Sequence, residues 1–133
     1  LDMLDAMDFA GKLAKVAALD PTPLTAPELL RMATIDGAKA LGLDRLVGSL
    51  EPGKRADLIV VNLGNAHVEP VFDLPSTLVY ASRAGDVSLT VVDGKVLWDG
   101  KRVATLDEAK VLAAARVWRE KVLKSLEAGA EKK

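Results

Sequence analysis

The sequence predicts an α+β chain in which a few short strands lie between flanking helices. Apolar residues recur at three- and four-residue steps before Leu41, the period turns extended at Asp57, and Asp93-Gly94 stands between two β-branched runs. Strands and helices do not alternate as they would to build a parallel sheet from this chain alone.

Leu4, Met7, Ala10 or Gly11, Ala14 and Ala18 mark one face of a first helix. It should end before Asp20-Pro21-Thr22-Pro23, because a proline disfavours helix in the residue before it. Thr25-Ala26-Pro27-Glu28 then offers a hydroxyl cap with a carboxylate three residues later. The second helix follows, with Leu29, Leu30, Ala33, Gly37, Ala40 and Leu41 on its face and Gly42 as terminator; one short turn is expected over Leu43 to Val47. Asp57 to Leu63 reads as a short strand buried on both faces. Pro70 and Pro75 exclude a central strand, so Gly64 to Ser76 reads as a long loop.

Sheet pattern returns at Val87, and Asp93-Gly94 suits a type I′ hairpin, whose two central residues both need positive φ. Asp99-Gly100 ends the second strand of that hairpin. Thr105-Leu106-Asp107-Glu108 repeats the capping pattern ahead of Val111, Leu112, Ala115, Trp118, Val122 and Leu126, which predicts a last helix of about five turns. Its Glu- and Lys-rich end is expected to fray from Glu127. Three strands with two free edges make a weak sheet, which points to a missing partner segment.

With 50% hydrophobic and 28% charged residues in 133, the chain has the makings of one compact unit. Eighteen basic and nineteen acidic residues leave a net charge of -1, and no run of one sign forms a footprint for nucleic acid or anionic lipid. The strongest apolar run, Leu58 to Val61, is far short of the roughly 20 residues that span a bilayer. The absence of cysteine removes disulfides and thiolate metal sites and fits a reducing, cytoplasmic setting. Leu1 in place of an initiator Met agrees with a chain taken from within a longer one.

Few residues present themselves for chemistry. Asp2, Asp5 and Asp8 stand three apart and raise the possibility of a divalent-cation site; acids that favour the positive end of a helix dipole are the simpler reading. His67 is the single histidine, so any Ser-His-Asp scheme must use it, with Asp73 and Ser76 as nearest companions, yet no nucleophile motif surrounds it. Gly48 to Gly53 lacks phosphate-loop spacing and leads into a strand, so it reads as a turn. Trp98 and Trp118 sit in apolar patterns as core or interface residues, and Arg55 and Arg83 are expected to pair with acids locally.

The run Gly48-Ser49-Leu50-Glu51-Pro52-Gly53-Lys54-Arg55-Ala56-Asp57-Leu58-Ile59-Val60-Val61 resembles the sheet-entry signature of the metal-dependent amidohydrolase superfamily. Leu1 to Met7, Met32 to Gly42, His67 to Asp73, Leu78 to Ala81 and Asp86 to Val96 are similar to further blocks of it, closest to the branch of methylthioadenosine/adenosylhomocysteine deaminases and chlorohydrolases. The resemblance implies a C-terminal fragment: residues 1–47 as the last helices of a (β/α)8 barrel, 48–104 as the C-terminal strands of a composite β-sandwich, and 105–133 as a final helix and tail.

The family holds its metal with a His-x-His pair, a further His and an Asp after the eighth strand, and none of these maps onto this sequence. The resemblance therefore implies no catalytic and no metal-ligating residue here, leaves substrate contacts unassigned, and places a divalent metal, zinc first, in the parent enzyme. That parent is expected to deaminate methylthioadenosine or adenosylhomocysteine; a chlorohydrolase, a guanine- or cytosine-type deaminase, and a free-standing α+β interaction module stand as alternatives. The isolated chain is expected to be inactive and to self-associate, its natural partner being the N-terminal barrel portion.

Overall fold

The computed structural model describes residues 2–130. Helix α1 (Met3–Ala18) is capped by Asp2, whose carboxylate accepts from the backbone N–H groups of Leu4 (2.9 Å) and Asp5 (3.4 Å). It stops where Leu19 turns left-handed, ahead of the two prolines. Thr25 and Glu28 open α2 (Ala26–Arg31) as expected, with the Glu28 carboxylate accepting from both the N–H and the hydroxyl of Thr25 at 2.7 Å. The helix then widens to a π segment (Met32–Asp36) and tightens again into α3 (Gly37–Ala40), ending at Gly42 with φ 68°. Within the π segment the Thr34 hydroxyl donates to the Leu30 carbonyl (2.6 Å). Leu43 to Val47 forms the expected turn.

Strands β1 (Leu58–Val61), β2 (Val87–Val92) and β3 (Lys95–Trp98) form an antiparallel sheet in that order. Leu58 pairs with Val91 and Val60 with Leu89, and a bulge at Val60/Val61 shifts the register. Asp93 (φ 52°) and Gly94 (φ 74°) both take positive φ, which makes the hairpin the predicted tight one.

Four expectations are corrected. Gly64 to Ser76 is not loop throughout, because α4 (Leu74–Tyr80) begins inside it, capped by Asp73 and with Pro75 in its first turn, where a missing N–H costs nothing. Strand β1 is not buried on both faces: the adjacent Ile59 and Val60, which point to opposite sides of the sheet, are 51% and 44% exposed, so neither face is fully covered by the described residues. The last helix, α5 (Glu108–Ala130), is capped by Asp107, which accepts from the Lys110 N–H, rather than by Thr105. It runs 23 residues, about six turns, and continues through Glu127 to Ala130 where fraying was expected; the rest of the expected frayed tail, 131–133, lies outside the described residues.

The core lies where α1, α2 and α4 meet. Leu4, Met7, Ala26, Leu29 and Val79 are its buried members, with Tyr80 and Val87 packed against them. Gly11 permits the close approach, since a Cβ there would lie 2.8 Å from Leu29 Cδ1. The Lys15 ammonium donates to the Tyr80 hydroxyl (2.8 Å), joining α1 to α4 across the edge of this core. Helix α5 stands apart: its side chains from Glu108 to Glu127 are all exposed, Trp118 at 64%.

Candidate functional site

The three N-terminal aspartates do not converge. Asp2 caps α1 and also accepts from the Ala84 N–H (2.9 Å), which ties the helix to the turn before β2. Partial burial pushes its carboxyl up, and the N–H donors of Ala84, Asp5 and Leu4 more than offset this, leaving it below the ordinary aspartate value. Asp5 faces Arg83 (3.9 Å), and Asp8 pairs with Lys12 (2.6 Å) while its other oxygen is buried without a partner. Among the described residues no three His, Asp, Glu or Cys side chains come together to hold a metal ion. The donor set of a bound cation is thus not met by these residues.

His67 lies in the turn after Asn65 and meets neither companion proposed from the sequence. Asp73 and Ser76 serve each other at the start of α4, where the Ser76 N–H donates to the Asp73 carboxylate (2.9 Å). His67 instead pairs through Nε2 with Asp86 (3.0 Å), a carboxylate only 3% exposed. Asp86 also accepts from the Asn65 amide (2.6 Å) and the Arg83 N–H (2.8 Å). Burial raises the Asp86 carboxyl, and the donors from Arg83, His67 and Asn65 outweigh burial and hold it below the ordinary value. These contacts make the cluster a polar staple between the 62–69 segment and the entry to β2, and no hydroxyl side chain among the described residues hydrogen-bonds to His67. The sequence offered no spacing that singled out Asp86; only the return of the chain at Arg83 brings it beneath His67.

Gly48 to Gly53 forms the expected turn. Gly48, at φ 93°, lies against the π segment so closely that a Cβ would stand 2.9 Å from the Ile35 Cα and 3.2 Å from the Thr34 carbonyl oxygen. Arg55 reaches Asp93 (3.8 Å) and Arg83 reaches Asp5, partners far along the chain where local ones were expected, because the hairpin and the return of the chain before β2 bring them close. Trp98 is half-buried and donates through Nε1 to the Val87 carbonyl (2.9 Å), whereas Trp118 faces solvent.

A groove of about 570 Å³ lies between the N-terminal helices and the sheet, lined among others by Leu4, Met7, Ala33, Ile59, Val87 and Trp98. Its walls are mostly apolar, with Asp2, Thr34 and Thr90 as the polar exceptions. Phe9, Leu13 and Val16 add an exposed apolar stripe on the outer face of α1. Such surfaces suit packing against another protein segment.

The amidohydrolase family model matches residues 1–97. The chain belongs to the amidohydrolase family. It is 46% identical over 123 residues to a 5'-deoxyadenosine deaminase of Methanosarcina acetivorans, an overlap covering 92% of this chain and 28% of that protein. A 5-methylthioadenosine/S-adenosylhomocysteine deaminase of Syntrophomonas wolfei is 45% identical over 116 residues, 87% of this chain and 27% of that one. Among solved structures, an adenosine deaminase from Xanthomonas campestris with bound zinc superposes with a TM-score of 0.88 at 36% identity, over 92% of this chain and 28% of that one. An atrazine chlorohydrolase from Arthrobacter aurescens, complexed with zinc, gives 0.75 at 31% identity, over 86% and 25%. The chain therefore spans about a quarter of the length of the family members it matches. No helix among the described residues is long and apolar enough to cross a membrane.

Proposed function

We propose that this chain is the C-terminal portion of a zinc-dependent amidohydrolase that deaminates an adenine nucleoside altered at its 5' position, methylthioadenosine or adenosylhomocysteine foremost. The observation that carries the reading is identity of 45–46% across nine-tenths of the chain to deaminases named for such nucleosides. In the reaction, water replaces the exocyclic amine on the purine ring carbon, and ammonia leaves. On this reading the zinc and its ligands belong to the rest of the protein, which the separation of Asp2, Asp5 and Asp8 and the pairing of His67 with Asp86 support.

On this reading the chain contributes support. Residues 1–47 close the outside of a (β/α)8 barrel, 48–104 complete a composite β-sandwich along the free edges of the sheet, and 105–133 add an outer helix and tail. The apolar groove and the Phe9, Leu13 and Val16 stripe support a partner surface of this kind, and the same surfaces favour self-association of the isolated chain. A cytoplasmic setting belongs to the same proposal and is supported by the lack of cysteine.

The test is to express the full-length protein, supply methylthioadenosine, adenosylhomocysteine and 5'-deoxyadenosine, and follow the change in purine absorbance together with ammonia release and zinc content. Turnover of at least one, lost on chelation and restored by zinc, is the expected result, with none from residues 1–133 alone. A full-length protein inert toward all three, or a 133-residue chain that turns one over, overturns the proposal. The similarity to a chlorohydrolase gives a second reading, which chloride release from a chlorinated triazine would single out.

A further inference from the structure

Three aspartates of this chain are followed by glycine: Asp36-Gly37, Asp93-Gly94 and Asp99-Gly100. Glycine has no side chain to shield its nitrogen, so in such a pair that nitrogen can close on the neighbouring carboxyl. By sequence the three pairs are equivalent, and the fold separates them. The Gly37 N–H donates to the Thr34 carbonyl within the π segment, and the Asp36 carboxylate is held by Arg31 (3.0 Å) and Lys39 (3.4 Å). The Gly94 N–H donates to the Ala56 carbonyl (3.1 Å), fastening the hairpin turn beside the entry to β1, where Asp57 also accepts from the Asp93 N–H (2.6 Å). The Gly100 N–H has no acceptor among the described residues.

Asp99 and Gly100 open an exposed loop, 99–102, closed behind them by the Trp98 bridge to Val103 and the Ala104 N–H on the Leu97 carbonyl (2.8 Å). One oxygen of the Asp99 carboxylate accepts from the Lys101 and Arg102 N–H groups, both at 2.9 Å. Those two donors can take up the charge that develops on this oxygen when the carbon bearing it is attacked. The Arg102 and Lys101 N–H groups also hold the carboxyl below the ordinary aspartate value, which favours the less electrophilic carboxylate. That tempers the step without closing it. At Asp36 and Asp93 the nitrogen itself stays engaged until the helix or the hairpin opens, and such opening is rare in packed elements.

We propose that Asp99 is a site of spontaneous covalent modification, isomerising to isoaspartate through Gly100, while the fold protects Asp36 and Asp93. The Gly100 nitrogen gives up its proton and bonds to the side-chain carboxyl carbon of Asp99. A C–O bond of that carboxyl breaks, its oxygen leaves as water, and a five-membered succinimide results. Water then opens the ring. Attack at the side-chain carbonyl restores aspartate, and attack at the backbone carbonyl routes the chain through the side-chain carbon and frees an α-carboxylate. The product lengthens the loop backbone by one methylene and displaces the acceptor of the Lys101 and Arg102 N–H groups, so ageing loosens the lead into α5.

The test is to hold the full-length protein warm at neutral pH, folded and in urea, and to sample it by tryptic digestion. Cleavage after Lys and Arg places the three pairs in separate peptides, 32–39, 84–95 and 96–101. Chromatographic splitting and electron-transfer fragmentation identify isoaspartate in each. In the folded protein, isoaspartate should build up in 96–101 at least tenfold faster than in either other peptide, and in urea the three rates should converge. Equal rates in the folded protein, a lead by 84–95 or 32–39, or no isoaspartate in 96–101 would each overturn the inference. None of these outcomes bears on the deaminase reading.

Discussion

Replacing Gly48 by alanine tests whether the turn before β1 is seated on the π segment as the structure shows. The new Cβ would lie 2.7 Å from the Ala38 Cβ, 2.9 Å from the Ile35 Cα and 3.2 Å from the Thr34 carbonyl oxygen. Two of these neighbours are backbone, and the segment that carries them is braced by the Thr34 hydroxyl on Leu30, so neither can step aside cheaply. Forcing an L-residue to positive φ costs roughly 1–2 kcal/mol and overpacking adds about 1–3 kcal/mol. Reduced freedom of the unfolded chain returns about 0.4–1 kcal/mol, for a net loss of roughly 2–4 kcal/mol.

Gly53 is the matched control, because it has a similar φ of 90° and nothing within 4 Å of a built Cβ. Gly53→Ala should therefore lose only about 1 kcal/mol, the strain alone. Urea and thermal unfolding by circular dichroism would show the two variants separated by roughly 1–3 kcal/mol, or several degrees in Tm, with unchanged urea slopes. If Gly48→Ala falls within about 0.5 kcal/mol of Gly53→Ala, the seating of the turn on the π segment is refuted.

Three further outcomes follow from the same structure. Leu29→Ala, at a side chain 1% exposed in the centre of the core, should cost about 2–5 kcal/mol in urea unfolding, and a loss below 1 kcal/mol would contradict the packing of α1 on α2 and α4. Asp86→Asn should cost roughly 1–3 kcal/mol by turning an amide toward the donors of Arg83, Asn65 and His67. Because the carboxyls of Asp2 and Asp86 lie below their ordinary value in the fold, their stabilisation is fully present above about pH 4 and is lost as pH falls through the folded values. The acid limb of the stability curve should be shallower in Asp86→Asn, and an unchanged limb would count against the staple.

Local signals stated most of the secondary structure. The Thr25 and Glu28 pair, the Asp93-Gly94 dipeptide and the prolines after Asp20 act within four residues of themselves, so their consequences are legible without a fold. The same locality explains the misreadings. Pro75 forbids a central strand and equally suits a first helical turn, and only the packing of α4 on α1 and α2 decides between them. Thr105 and Asp107 are both competent caps, and the place where the helix begins chose Asp107.

The sequence by itself determined the family, through motif blocks spread over most of the chain, and the lack of a metal-ligand pattern, because ligand sets leave characteristic spacings of His and acid. Tertiary structure alone decided that Asp86 lies beneath His67, that Gly48 backs onto a π segment, and that α5 projects with its apolar stripe uncovered. Those contacts join residues whose separation along the chain carries no periodic signal, so they arise only when the elements pack.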